Sequence, residues 1–120
     1  MKIETKTVGT YTMVTVYDEL KVIADLTEFK QEIEKRLALG ERNIAVNFFD
    51  ASYLYSGAIS VLITCFRMIR EKGGNLCIVE PQERVLDLLV QMNIDSLIDI
   101  YKSEKELAEK CSAVPQKKQH

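Results

Sequence analysis

The order of apolar segments along the chain constrains the fold most. Residues 11–17, 43–49 and 75–79 are strand-like runs rich in β-branched and aromatic side chains, and each precedes a segment with the apolar spacing of a helix. Two further short strands are predicted over residues 2–7 and 97–101. Since strands that alternate with helices need crossover connections, the sequence predicts a mostly parallel sheet covered by helices.

The predicted element order is β-β-α-β-α-β-α-β-α, an α/β fold with a mixed sheet of four or five strands. Glycines mark the ends of the first two helices, at Gly40 and at Gly73-Gly74. The last helix is predicted to end at about Lys110. At 120 residues the chain is long enough for one core but not for two, so we expect a single domain over residues 1–111 and a flexible tail over residues 112–120.

Composition argues against several classes of function. The 16 basic and 18 acidic side chains give a net charge of −2, which argues against a nucleic-acid binder. The cysteines Cys65, Cys77 and Cys111 are widely spaced and the single histidine is His120, so we expect free thiols and no metal site. No apolar run approaches the roughly 18 residues that span a bilayer, and no signal peptide is visible, which predicts a cytoplasmic protein without membrane insertion.

Enzyme signatures are missing from the sequence. It contains neither the glycine-rich loops that bind phosphate nor the strand-to-helix elbow that presents a nucleophilic serine. The only histidine is the last residue, which leaves no obvious base for a serine or cysteine nucleophile. We therefore predict a protein that is not an enzyme and needs no cofactor.

The segment between the central strand and the second helix has an unusual composition. It reads Asp50-Ala-Ser-Tyr-Leu-Tyr-Ser-Gly-Ala58, with two serines, two tyrosines and a small Gly57-Ala58 pair that opens a helix. In open α/β sheets, ligands and partners meet the loops at the carboxyl ends of the parallel strands. Two interpretations stay open on composition alone: a recognition loop, or a helix cap at Ser56 with the aromatic rings packed into the sheet edge.

This segment resembles the STAS family (sulfate-transporter and anti-sigma-factor-antagonist domains), in which a central strand leads into a D-x-S-φ-φ-D-S-S-G loop, where φ is apolar. The chain reads AVNFFDASYLYSGA, and Asp50, Ser52 and Ser56 fit that pattern without a gap. The stretch GGNLCIV and the helical segment Val85–Leu89 continue the match. The resemblance spans about residues 11–110 and implies a sheet with its helices mainly on one side.

The resemblance implies a function in binding other proteins. Small free-standing members act as anti-sigma-factor antagonists, which bind an anti-sigma factor or a histidine-kinase-like serine kinase. Phosphorylation of the second serine of the D-S-S-G loop switches that binding off, since a phosphate adds roughly −1.5 to −2 charges to the contact surface. The implied role is a non-catalytic bacterial regulator of transcription, with a weak homodimer left open.

The chain departs from the family pattern at the phosphorylation site. Gly57 stands where the phosphoacceptor serine is expected, Tyr55 replaces an aspartate and Ala58 replaces a glycine. Because Gly57 has no hydroxyl, the standard switch is predicted to be missing, and Ser56 is the remaining candidate acceptor.

Two milder departures lie elsewhere. Asn93 stands where the family usually has glycine, and asparagine is the next-best residue for a left-handed helix cap. Lys21 stands where many members have aspartate, in a loop that lies near the recognition loop in the family. The choice of partner is therefore expected to differ from that of other members.

The predicted partner-binding surface combines two loops and the start of the second helix. Its members are Asp18, Glu19, Lys21, Ser52, Tyr53, Tyr55, Ser56, Gly57 and Ala58. The two tyrosines are the expected anchors, because aromatic residues are over-represented at interface hot spots. Two alternatives stay open: an accessory subunit of a lipid-transport ATP-binding-cassette system, which would need no phosphoserine, and a sensor that holds a nucleotide or lipid at the helix start.

Overall fold

The computed structural model describes the backbone of residues 1–117 and the side chains of residues 1–111. In chain order its elements are β1 Lys2–Val8, β2 Tyr11–Tyr17, β3 Val22–Ile23, α1 Thr27–Ala38, β4 Asn43–Asn47, β5 Tyr53–Leu54, α2 Ser56–Glu71, β6 Asn75–Val79, α3 Glu83–Gln91, a 3₁₀ turn Ile94–Ser96, β7 Asp99–Tyr101 and α4 Glu104–Lys117. The flexible tail predicted over residues 112–120 stays a prediction, because it falls on residues whose side chains or backbone lie outside this description.

The main sheet has five strands in the order β1-β2-β4-β6-β7. The edge strand β1 runs antiparallel to β2 as an N-terminal hairpin, and the other neighbouring strands are parallel. The prediction of a mixed, mostly parallel sheet is therefore confirmed. A second, two-stranded parallel sheet pairs β3 with β5 and was not predicted.

The two faces of the main sheet are covered unequally. Val46 and Ile78 belong to the larger buried cluster, which they share with α1, α2 and α3. Their neighbours along the same strands, Ala45 and Cys77, point the opposite way and pack with Leu107 of α4. The implied arrangement, with helices mainly on one side, is confirmed, and α4 leaves the carboxyl ends of β2 and β4 open on its own face.

Left-handed residues end the first three helices where the sequence predicts them. Gly40 follows α1 with φ of 92°, and Gly73 follows α2 with φ of 85°. After α2 the Gly73 N–H donates to the Arg70 carbonyl and the Gly74 N–H to the Ile69 carbonyl, at 3.0 and 2.9 Å, so that two terminal carbonyls are satisfied. Asn93 takes the same left-handed conformation after α3, with φ of 58°.

Three predicted boundaries were wrong. Strand β4 ends at Asn47 and not at residue 49, because the Asn47 Oδ1 atom accepts the N–H of Phe49 at 2.8 Å and turns the chain out of the sheet. The last strand begins at Asp99 and not at residue 97, because a 3₁₀ turn takes up the residues before it. Helix α4 extends to Lys117, beyond the predicted end near Lys110.

Candidate functional site

The short β3–β5 sheet joins the two loops that the sequence assigned to partner binding. The N–H and the hydroxyl of Ser52 both donate to the Lys21 carbonyl, at 2.6 and 2.9 Å. At the other end of the pair, the Tyr55 N–H donates to the Ile23 carbonyl at 2.9 Å. Backbone hydrogen bonds therefore fix the position of one loop relative to the other.

A tight turn over residues 18–21 forms one half of this surface. The Lys21 N–H donates to the Asp18 carbonyl at 2.9 Å, and the Leu20 N–H donates to the Asp18 carboxylate at 3.0 Å. Lys21 is left-handed, with φ of 63°, and its ammonium group pairs with Asp50 at 2.6 Å. As a result Glu19 is exposed and the side chain of Leu20 projects into solvent with 78% of its surface accessible.

Two tyrosines form the other half of the surface. Tyr53 and Tyr55 are 40% and 49% exposed, and their rings meet edge to face with centroids 5.1 Å apart. The alternative that these rings pack into the sheet edge is therefore wrong. The predicted cap at Ser56 is also wrong, because Tyr55 is the N-cap of α2, without a side-chain cap bond, and Ser56 is the first helical residue.

The start of α2 approaches the end of β3 closely at Gly57. A Cβ atom at Gly57 would lie 3.3 Å from the carbonyl oxygen of Ala24, so the glycine allows this approach without crowding. Ser56 and Gly57 are exposed, whereas Ala58 is buried in the core. The methyl group of Ala58 therefore does not contribute to the surface in which the sequence placed it.

Acidic groups line a groove of about 510 Å³ between the turn and the start of α1. Asp18, Asp25 and Glu28 lie along it, beside the apolar side chains of Leu20 and Tyr55. The Thr27 hydroxyl and N–H donate to Asp25 at 2.6 and 2.9 Å, and these bonds lower the pKa of that carboxyl. Sequence reasoning placed Leu20 within the predicted loop Asp18–Lys21 without naming it as a contact residue, and it missed Asp25 and Glu28.

The buried cysteines behave as packed side chains and not as reactive thiols. All three are free thiols, and burial raises the pKa of Cys65 to about 12 and that of Cys77 still further. Among the residues whose side chains are described, no group of three or more His, Cys, Asp or Glu is placed to hold a metal ion. Within the described backbone, no helix is both long and apolar enough to cross a membrane.

One comparison with known proteins identifies the family, and the solved structures share the fold. The family model for the STAS domain matches residues 2–107. A candidate anti-sigma factor antagonist from Thermotoga maritima has a similar structure, with 21% identity, a TM-score of 0.76, and coverage of 92% of this chain and 94% of that one. A search of curated proteins found no match.

Two further solved structures share the fold. An anti-sigma-factor antagonist (STAS) domain protein from Planctomyces limnophilus is 16% identical, with a TM-score of 0.73 and coverage of 92% and 97% of the two chains. The Bacillus cell fate determinant SpoIIAA in its phosphorylated form is 11% identical, with a TM-score of 0.66 and coverage of 90% and 98%. At these identities the likeness establishes the fold alone.

Proposed function

Since this chain belongs to the STAS domain family, we propose that it is a non-catalytic, cytoplasmic module that regulates by binding an anti-sigma factor or a histidine-kinase-like serine kinase. The main support is the continuous surface formed by the turn over residues 18–21 and the segment over residues 52–57. There Leu20, Tyr53 and Tyr55 expose apolar area in two loops that β3 and β5 hold together.

The rigidity of this surface favours specific binding. Association is weakened by the free energy needed to order flexible loops, and both loops are already tied by the hydrogen bonds of Ser52 and Tyr55. Exposed aromatic rings next to a groove are typical anchors of an interface. The acidic side chains around them favour a partner with a basic contact face, since complementary potentials steer association.

A phosphate switch in this protein would have to use a residue other than Gly57. We propose Ser56, which is exposed, begins α2 and directly follows the anchor Tyr55. A phosphate at this position would meet the positive end of the helix dipole, and it would place about two negative charges in the contact surface. SpoIIAA, which shares the fold, has structures in phosphorylated and unphosphorylated forms.

Affinity capture from a native lysate, with ATP or ADP present, tests this proposal. We expect the wild-type bait to capture an anti-sigma factor or serine kinase, a Tyr55→Ala bait to lose it, and a Leu97→Ala bait to retain it. Leu97 is a suitable control because it is 47% exposed, close to the 49% of Tyr55, and lies between the 3₁₀ turn and β7.

The intact mass of the bait is measured in the same experiment. A single added phosphate that is lost in Ser56→Ala would support the proposed acceptor. A membrane-transport ATPase captured by an unmodified bait would instead indicate the accessory-subunit function and contradict the regulatory one.

A further inference from the structure

A second concave site lies on the face of the sheet that α4 leaves open. It is a groove of about 400 Å³ at the carboxyl ends of β2 and β4. Its base includes Thr15 and Asn47, its wall Tyr17 and Phe49, and its rim Glu4 and Glu80. None of these residues belongs to the proposed partner-binding surface.

Thr15 is a buried polar residue that lines this groove. Only 7% of its surface is exposed, and its hydroxyl has no hydrogen-bond partner among the residues whose side chains are described. The hydroxyl oxygen is not fully enclosed, because no fully buried side-chain N or O atom lacks a partner in that part of the chain. This accessible oxygen can accept a hydrogen bond from a group bound in the groove.

Asn47 arranges the groups around Thr15. It lies directly beside Thr15 in the register of β2 and β4 and is only 3% exposed. Its Oδ1 atom accepts the Phe49 N–H at 2.8 Å, and its Nδ2 atom donates to the Glu80 carboxylate at 3.3 Å. One buried amide therefore contacts both the Glu80 carboxylate and the backbone of Phe49.

The charge around the groove is unbalanced at one position. Glu4 is paired with Lys2 at 3.3 Å and accepts the Tyr17 hydroxyl at 2.9 Å. Across the groove the Lys6 ammonium forms an ion pair with the Glu104 carboxylate at 2.9 Å. Glu80, in contrast, has no cationic partner among the described side chains and receives only the neutral Asn47 amide. A phosphate or carboxylate ligand would be repelled there, whereas a cation would be attracted.

We infer that this groove binds a protonated amine or guanidinium group. The cation pairs with the Glu80 carboxylate, one of its N–H groups donates to the Thr15 hydroxyl oxygen, and its alkyl or planar part lies against Phe49. The Phe49 ring is 42% exposed and is held edge to face on Tyr17, with centroids 5.6 Å apart. Carboxylate, hydroxyl and aromatic ring together satisfy the charge, the hydrogen bonds and the apolar part of such a ligand.

Titration with two molecules of the same shape tests the inference on the unaltered protein. Butylguanidine is a cation at neutral pH, whereas butylurea is its neutral counterpart. We expect butylguanidine to produce saturable shifts of the backbone amide resonances of Thr15, Asn47 and Glu80 in ¹⁵N NMR spectra. Butylurea should bind at least about tenfold more weakly. Equal affinity for the two molecules, or no saturable shift with butylguanidine, would overturn the inference.

Matched variants locate the cation. Glu80→Gln keeps the shape and the bond to Asn47 but removes the charge, and it should weaken butylguanidine binding about tenfold. Thr15→Val replaces the hydroxyl with a methyl group and should weaken butylguanidine binding about threefold. Asp87→Asn removes an exposed carboxylate of α3 and should change nothing. Unchanged binding in Glu80→Gln would count against the site.

Two probes distinguish the source of the cation. A blocked arginine, N-acetylarginine amide, that binds more tightly than butylguanidine would indicate a basic side chain of another protein. If N-acetylarginine amide did not bind while butylguanidine did, the natural ligand would be a free small amine.

Discussion

Replacing Gly74 with alanine is expected to lower the free energy of unfolding by about 3 kcal/mol or more. The new Cβ atom would lie 1.8 Å from the carbonyl oxygen of Arg42 and 2.7 Å from its carbonyl carbon. Both atoms belong to the backbone of Arg42, which directly precedes β4, and Gly74 directly precedes β6. The Asn75 N–H donates to the same Arg42 oxygen at 2.9 Å. The strands would have to separate and lose that bond, which urea denaturation would detect as a lower midpoint.

Gly73→Ala is the matched control for this change. Gly73, unlike Gly74, has a positive φ, of 85°, and a Cβ atom there meets nothing within 4 Å. Only the strain of a left-handed alanine remains, and the free energy of unfolding is expected to fall by about 1 kcal/mol. Equal destabilisation by the two substitutions would show that the close approach of Gly74 to Arg42 does not limit stability.

Tyr55→Ala is expected to weaken binding of the captured partner roughly thirtyfold, which corresponds to about 2 kcal/mol. The ring is half exposed beside Leu20 and Tyr53 and is expected to be buried on binding. Its side chain makes no cap bond to α2, so its removal should leave the helix and the fold intact. Isothermal titration calorimetry with the purified partner would measure the difference.

Leu97→Ala should change the affinity for the same partner by less than about twofold, because surface truncations away from an interface have small effects. Circular dichroism of the two variants should match the wild type. If Leu97→Ala weakened binding and Tyr55→Ala did not, the interface would lie near the 3₁₀ turn and not on the two loops.

Local signals account for the features of the fold that the sequence predicted correctly. Gly40 and Gly73 end helices because few other residues adopt a left-handed conformation without strain, and that preference depends on the residue itself. Asn93 follows the same rule. The apolar runs of β2, β4 and β6 are equally local, since a strand buried on both faces needs apolar side chains throughout.

The geometry of the site could not be predicted because it depends on contacts between distant segments. Strands β3 and β5 have two residues each, too few for a periodic pattern, and their pairing brings Lys21 to Ser52 across thirty-one positions of the chain. The position of the turn over residues 18–21 beside the second loop follows from that pairing.

The groove at the carboxyl ends of β2 and β4 could not be predicted for the same reason, because it also depends on contacts between distant segments. Thr15 appeared as one more polar residue in a β-branched strand, and Asn47 as an exception in an apolar one. The groove that they line follows from the position of α4, which packs on Ala45 and Cys77 but does not cover Thr15 and Asn47.

Hydrogen–deuterium exchange of the complex with its captured partner tests the proposed partner surface most directly. We predict slower exchange on binding for the backbone amides of residues 18–25 and 52–60, with little change in α3 and the 3₁₀ turn. Protection confined to α3, the 3₁₀ turn or α4, with the two loops exchanging as in the free protein, would contradict the account.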